Sequence, residues 1–312
     1  MRKFGSLRHF ASSFRLKAAS LGIVIGALAL SAPAMAAENG PPDPNLILPG
    51  VQALEWKTKS KRVRGTIIAV HGTTQQAGCF ATLAHSLNDL GFNVIGMDLR
   101  GHGHWYFKTD ANNTRHEISY SRSANDLARM AKRVRVLYPK QPLFCIGESV
   151  GAAVTVRACG EHPDLFDGIV LASAGTSPHI FNFNMVARDL VKGLSNLDRP
   201  LDVSEYITRY SSEDARITHE MVTDPLSRTM LTGKEILQTG AFIRKTPSMA
   251  RAVPANVSVL MINGQLDQIV KADTTEEILK NINSTDKKLV TVPFCGHILF
   301  GTAYLKKSVV EP

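Results

Sequence analysis

Residues 143–151 read Leu-Phe-Cys-Ile-Gly-Glu-Ser-Val-Gly. The apolar run Leu143–Ile146 lacks polar alternation, which predicts a strand buried on both faces of a parallel sheet. Gly147-Glu148-Ser149-Val150-Gly151 follows directly, and a helix is predicted from Val150 to about Cys159. A strand, a tight turn with glycine on both sides of a serine, and a helix make the setting of a nucleophile elbow. Small flanking residues let neighbouring backbone approach, and the hydroxyl stands near a helix N-terminus that favours developing negative charge. The same five residues also describe an idle glycine-rich turn, so the partners of Ser149 decide between the two.

Outward from this stretch, short apolar runs alternate with helical patterns. Thr66–Val70, Phe92–Met97, Ile169–Ala172, Val257–Ile262 and Leu289–Val292 read as further strands. Phe80–Leu90 and Thr274–Ile282 read as helices, and from Ser121 apolar residues fall at Ala124, Leu127, Ala128, Ala131, Val134 and Leu137, which is helical spacing. Alternation of this kind implies an α/β fold, a mostly parallel central sheet flanked by helices. Between Ala174 and Pro254 the rhythm breaks into helical and loop signals with no clear strand. That excursion reads as an inserted helical cap, about residues 175–254.

A serine hydroxyl is a poor nucleophile near neutral pH and needs a base, which needs an orienting acid. In this fold class the order along the chain is Ser, acid, His. Asp267 lies just past the Val257–Ile262 strand and His297 just past Leu289–Val292; His297 alone of the ten histidines follows Asp267. Both loops belong at the sheet edge that carries Ser149. The expected catalytic residues are therefore Ser149, Asp267 and His297. Asp273 is the rival acid, but its place before the Thr274 helix suits an N-cap. Two N–H donors should hold the oxyanion: Val150, directly after the serine, and Thr73 in His71-Gly72-Thr73 after the first strand. His71 itself is expected to pack under that loop. Asp98-Leu99-Arg100-Gly101-His102-Gly103 reads as structural, since Asp98 is on the wrong strand and His102 precedes Ser149. Glu148 is expected to face a polar pocket beneath the elbow.

The spacing of His71-Gly72, Asp98–Gly103, Gly147–Gly151, Asp267 and His297 resembles the α/β-hydrolase superfamily. It is most similar to the monoacylglycerol lipase and lysophospholipase branch, often grouped with serine aminopeptidase-like hydrolases. Asp224-Pro225-Leu226, after the charged start Ser211–Asp214, is similar to a cap segment of that branch. Gly264-x-x-Asp267-x-Ile269-Val270 is similar to its acid-bearing strand and loop. The resemblance covers roughly Leu48 to the C-terminus and implies an α/β-hydrolase fold and no cofactor. It also implies that a serine here sets the chain apart from dehalogenases and epoxide hydrolases, which use aspartate. The chain departs from the pattern at Ala152, at His104-Trp105, and at Gly72-Thr73-Thr74, where a second glycine is common. The short segment before Thr66 suggests that the usual first antiparallel strand is missing, and the chain stops 15 residues after His297, leaving a short last helix.

Composition removes other classes. The 312 residues are 44% hydrophobic and 20% charged, an ordinary globular balance that excludes disorder, collagen and coiled coil. The net charge is +9, but Arg2, Lys3, Arg8, Arg15 and Lys17 supply five positive charges in residues 1–36, where no acid stands, leaving +4 for the rest. A nucleic-acid partner thus has little support. Residues 1–36 read as a signal peptide: a basic stretch, an apolar run from Ala18 to Leu30 too short to span a bilayer comfortably, and a small-x-small pattern at Ala34-Met35-Ala36. An uncleaved membrane anchor is the alternative. The hydrolase domain would then be residues 37–312, exported to the periplasm or secreted. The four cysteines, Cys79, Cys145, Cys159 and Cys295, allow three full pairings. Cys145 reads as a buried reduced thiol, and Cys79 with Cys295 is a candidate disulfide. No cysteine or histidine spacing suggests a metal.

The cap opens with Ile180, Phe181, Phe183, Met185, Val186, Leu190, Val191 and Leu194. Phe181, Phe183 and Met185 are expected to wall an acyl pocket, with possible transient membrane-surface contact through the cap; packing of cap on core explains the same residues. Arg188, Lys192 and Arg199 would favour an anionic surface, or form a solvated face. The leading expectation is a serine hydrolase of lipid esters. An aminopeptidase or amidase would need acids for a free amine, and Asp202, Glu205, Glu213 and Asp214 are available. A catalytically silent binding scaffold would show a broken triad or oxyanion loop.

Overall fold

The computed structural model describes residues 48–107, 117–177 and 196–310. The elements run β1 (Ala53–Trp56), β2 (Gly65–Val70), α1 (Ala81–Asp89), β3 (Phe92–Met97), α2 (Gly103–Phe107), α3 (Tyr120–Leu137), β4 (Leu143–Glu148), α4 (Val150–Glu161) and β5 (Gly168–Ala172). The chain then leaves the sheet through β6 (Pro200–Asp202), α5 (Ser204–Tyr210), α6 (Ala215–Thr223), β7 (Met230–Thr232), α7 (Gly233–Ile243) and α8 (Thr246–Ala250). It returns as β8 (Ser258–Gly264), α9 (Ala272–Asn281), β9 (Lys287–Val292) and α10 (Lys307–Val310).

The central sheet has the order β1-β3-β2-β4-β5-β8-β9. Six strands are parallel, and β1 is antiparallel to β3. All residues of β2, β3 and β4 are buried. Successive side chains point to opposite faces: Ile68, Val70, Cys145 and Ile169 pack with Leu127 and Ala131 of α3 and Val154 of α4. Ile67, Ala69, Phe144 and Ile146 pack with Leu83 and Leu87 of α1. Unbroken apolar runs are what a sheet covered on both sides requires.

Several expectations need correction. The first antiparallel strand is present as β1, pairing Ala53 with Met97 through Trp56 with Val94; four residues, two only half buried, carry too little periodicity to read. The excursion also contains strands: β6 and β7 pair antiparallel over three residues each. Helix α9 begins at Ala272 with Lys271 as N-cap, so Asp273 lies in the first turn, its Oδ1 accepting from Thr274 N–H at 2.9 Å. All four cysteines are free, including Cys79 and Cys295. Cys145 is a buried thiol, and burial pushes its pKa up to about 12.

Candidate active site

Strand β4 ends at Glu148 and α4 begins at Val150, so Ser149 alone makes the turn, at φ 57° and ψ −121°. A non-glycine residue held at positive φ is strained, and such strain clusters where function over-determines the backbone. The flanking glycines are sterically required. A Cβ on Gly147 would lie 2.4 Å from Gly151 O, and one on Gly151 would lie 2.2 Å from Val70 O. Ser149 N–H donates to Ala172 O at 2.9 Å, tying the turn to β5.

His297 reaches this serine from the loop after β9. Its Nε2 lies 2.9 Å from Ser149 Oγ, and its Nδ1 lies 2.8 Å from Asp267 Oδ2. A carboxylate only accepts, so Nδ1 carries the proton and Nε2 is left to accept from the hydroxyl. The other carboxylate oxygen of Asp267 accepts from Ile269 N–H at 2.8 Å and Val270 N–H at 2.9 Å. Burial pushes the Asp267 pKa up, but the facing imidazole and these hydrogen bonds more than offset it, and the net shift is down. For His297, burial lowers the pKa; the Asp267 charge, its hydrogen bond and the Glu148 charge prevail and raise it. The structure thus brings together the three side chains singled out from the sequence, and the line from Ser149 through His297 to Asp267 is unbroken.

The loop that carries His297 has most of its backbone N–H groups engaged. Gly296 N–H donates to Glu213 of the cap, whose other oxygen meets Lys306 Nζ. The His297 carbonyl accepts from Ser173 Oγ at 2.5 Å, and Ile298 N–H donates to Ser211 O at 3.0 Å. Leu299, Phe300 and Gly301 donate to Glu148 at 2.7, 2.8 and 2.9 Å. Glu148 is therefore fully buried, its carboxylate lined by backbone amides beneath the elbow. Sequence reading missed Ser173, Ser211 and Glu213 in this role, because backbone partners 83 to 124 residues away leave no local signature.

The loop after β2 packs directly on the nucleophile. A Cβ on Gly72 would sit 3.2 Å from Ser149 Cβ. Thr73 makes a side-chain hydrogen bond with the Tyr120 hydroxyl, which also lies 2.9 Å from Thr239 Oγ1 of the cap. Thr74, where a glycine is common, adopts φ 73°, and its carbonyl accepts from Arg228 N–H at 2.7 Å. Val150 opens α4, and first-turn N–H groups have no partner within a helix.

His71 is wholly buried, its Nδ1–H donating to Gly72 O at 2.7 Å while Nε2 accepts from Leu99 N–H at 3.0 Å. Asp98 accepts from Ala77 N–H at 2.7 Å and His104 N–H at 2.9 Å, and Arg100 pairs with Asp126 at 2.6 Å. These groups build the loops and lie outside the relay. Phe181, Phe183 and Met185, with Arg188 and Lys192, lie outside the described residues, as does the 1–36 leader. Among the described residues no cluster of three or more His, Cys, Asp or Glu is arranged to hold a metal ion. No described helix is long and apolar enough to cross a membrane.

Residues 61–302 match the profile of the Hydrolase_4 family, serine aminopeptidase S33. The chain belongs to that family. Monoglyceride lipase of Mus musculus is 24% identical over 250 residues, which cover 78% of each chain. A monoglyceride lipase homolog of Monkeypox virus is 21% identical over 257 residues, 80% of this chain and 87% of that one. Among solved structures, a soluble variant of Saccharomyces cerevisiae monoglyceride lipase in complex with a substrate analog superposes at TM-score 0.70 and 17% identity, over 86% of this chain and 91% of that one. Within the S33 family the chain resembles these monoglyceride lipases, and it has the α/β-hydrolase fold.

Proposed function

We propose that this chain is an exported enzyme that cleaves acylglycerol- or lysophospholipid-like esters through an acyl-enzyme on Ser149. The unbroken Ser149–His297–Asp267 hydrogen-bond line carries this reading. Ser149 Oγ attacks the ester carbonyl while His297 Nε2 takes its proton. Asp267 holds the imidazole in the tautomer that leaves Nε2 as the base, and stabilises the imidazolium. The Thr73 and Val150 N–H groups receive the oxyanion, a role in which one donor is worth roughly a hundred- to a thousandfold in rate. His297 then protonates the leaving alcohol, and a water repeats the sequence on the acyl-enzyme.

The cap supports an ester over an amine-bearing peptide. Asp202 is committed to Ser204 N–H, Glu213 to Gly296 and Lys306, and Asp214 to Arg216. That leaves Glu205, exposed on α5, of the four acids suited to a free amine. Contact with a lipid surface is supported by Leu197, Met230, Ile236 and Leu237, exposed on the cap near Arg199 and Lys234. Export is supported by the 1–36 leader.

The test is hydrolysis of p-nitrophenyl esters of rising acyl length beside aminoacyl p-nitroanilides, with Ser149→Ala as control. Ester turnover that disappears in Ser149→Ala is expected; anilide turnover in its place overturns the ester reading. N-terminal sequencing of the exported protein should begin at Ala37. Anionic vesicles should sediment the wild type and lose it when Ile236 and Leu237 become serine; equal sedimentation would remove the cap from lipid contact.

A further inference from the structure

Glu148 is the residue immediately before the nucleophile and has no part in the relay. Its side chain is completely buried. Oε1 accepts from Leu299 and Phe300 N–H, and Oε2 from Gly301 N–H. A buried carboxylate without partners is costly enough that it neutralises. Here three donors converge on it, and a proton on either oxygen would find no acceptor among them, so the arrangement suits the ionised form. Burial pushes its pKa up, and the pull of these donors and of His297 offsets that only in part.

The approach is close by construction. A Cβ on Gly301 would lie 2.8 Å from Glu148 Oε2 and 2.9 Å from Cys79 Sγ, so a side chain there would have to displace the carboxylate or the thiol. Gln75 Nε2 donates to Gly301 O at 2.7 Å and holds the same residue from its other side. The titratable groups facing Glu148 are His297 and the Cys79 thiol, which burial keeps neutral; Glu220, Asp224 and Asp98 bear on that thiol from beyond. His297 faces Asp267, with Tyr206 of the cap beyond that carboxylate and Glu213 at the neighbouring Gly296.

We propose that Glu148 is a positioning residue for His297: it clamps the loop carrying the imidazole onto the strand carrying the nucleophile, and its charge favours the imidazolium formed at each proton transfer. The proposal rests on the Ser149–His297–Asp267 reading. One residue thereby sets both ends of the Ser149–His297 hydrogen bond, through the covalent link to Ser149 and through residues 299–301. Each hydrogen bond to a charged acceptor is stronger than a neutral one, and small displacements of a base from its nucleophile are expensive in rate.

The experiment compares the whole enzyme with Glu148→Gln and Glu148→Asp. Two readouts are used: titration of the His297 imidazole by NMR, and kcat and KM against pH on a p-nitrophenyl ester. Glutamine can keep two of the three bonds but carries no charge. In Glu148→Gln the His297 pKa and the acid limb of kcat should both fall by about half a unit to one unit, with kcat about tenfold lower and KM little changed. Glu148→Asp keeps the charge and loses reach, so kcat falls while the acid limb stays. A folded Glu148→Gln with an unmoved His297 titration overturns the proposal. If Glu148→Gln does not fold, wild-type kcat in Glu148→Asp overturns it and a lowered kcat with an unmoved limb supports it. Turnover surviving in Ser149→Ala would sink the triad instead, leaving the His297 titration to judge Glu148 on its own.

Discussion

The loop around His297 and the cap above it are held by different means. From Gly296 to Gly301 five backbone N–H groups and three carbonyls, those of His297, Phe300 and Gly301, have partners, drawn from β4, the loop after β2, the β5 end, the cap and Thr302. The described cap rests on two three-residue strands and short helices, and α7 exposes Ile236 at 41% and Leu237 at 49%. The first region tolerates little displacement, because each shift breaks several hydrogen bonds at once. The second is tied to the sheet and its loops at separate points, among them Arg228 N–H to Thr74 O, Gln76 Nε2 to Asp224 and Thr302 Oγ1 to Glu220, while keeping apolar side chains exposed.

The sharpest way to break this contrast is to remove the relay itself. Ser149→Ala should lower kcat/KM of an activated ester by about a millionfold, and Asp267→Asn by about ten-thousandfold. Comparable losses from any single cap substitution would erase the distinction. Next is packing: Ile68→Ala, at a site with no exposure, should destabilise by about 3 kcal/mol in denaturant unfolding. Ile236→Ser on the cap should stay within about 0.5 kcal/mol. The pH profile comes third. His297 must be neutral to act as base and its pKa is raised, so kcat/KM should fall about tenfold per pH unit below a midpoint above the ordinary histidine value. A midpoint below that value would mean that Asp267 does not govern the imidazole. Smallest is one of the straps between the two regions. Glu213→Gln removes the charge that holds Gly296 and Lys306, and should lower kcat severalfold with little change in unfolding midpoint. An unchanged kcat would show the His297 loop to be indifferent to the cap.

Much of the sheet was legible because its strands are buried on both faces and appear as unbroken apolar runs such as Thr66–Val70. The gathering of Ser149, Asp267 and His297 was legible for a related reason: each stands in a loop just after such a run, at one sheet edge. Strand β1 was not legible, since Glu55 and Trp56 are only half buried and four residues hold barely one alternation. The cap strands are shorter still, and their pairing of Leu201 with Leu231 spans a helical hairpin no local pattern announces. The clamp formed by Glu148 was invisible because its partners are backbone amides, which every residue type supplies.

The hydrogen bond between Ser149 and His297 joins residues 148 positions apart, and the clamp on residues 299–301 spans as much. Contacts so distant in sequence form late in folding, after the closure entropy of the intervening chain has been met. A chain with β2 to β5 assembled holds its serine on the elbow with no base beside it. If Ser149, His297 and Asp267 act as proposed, their line is complete only once β8 and β9 dock, and turnover during refolding is then expected to lag the fluorescence of the core.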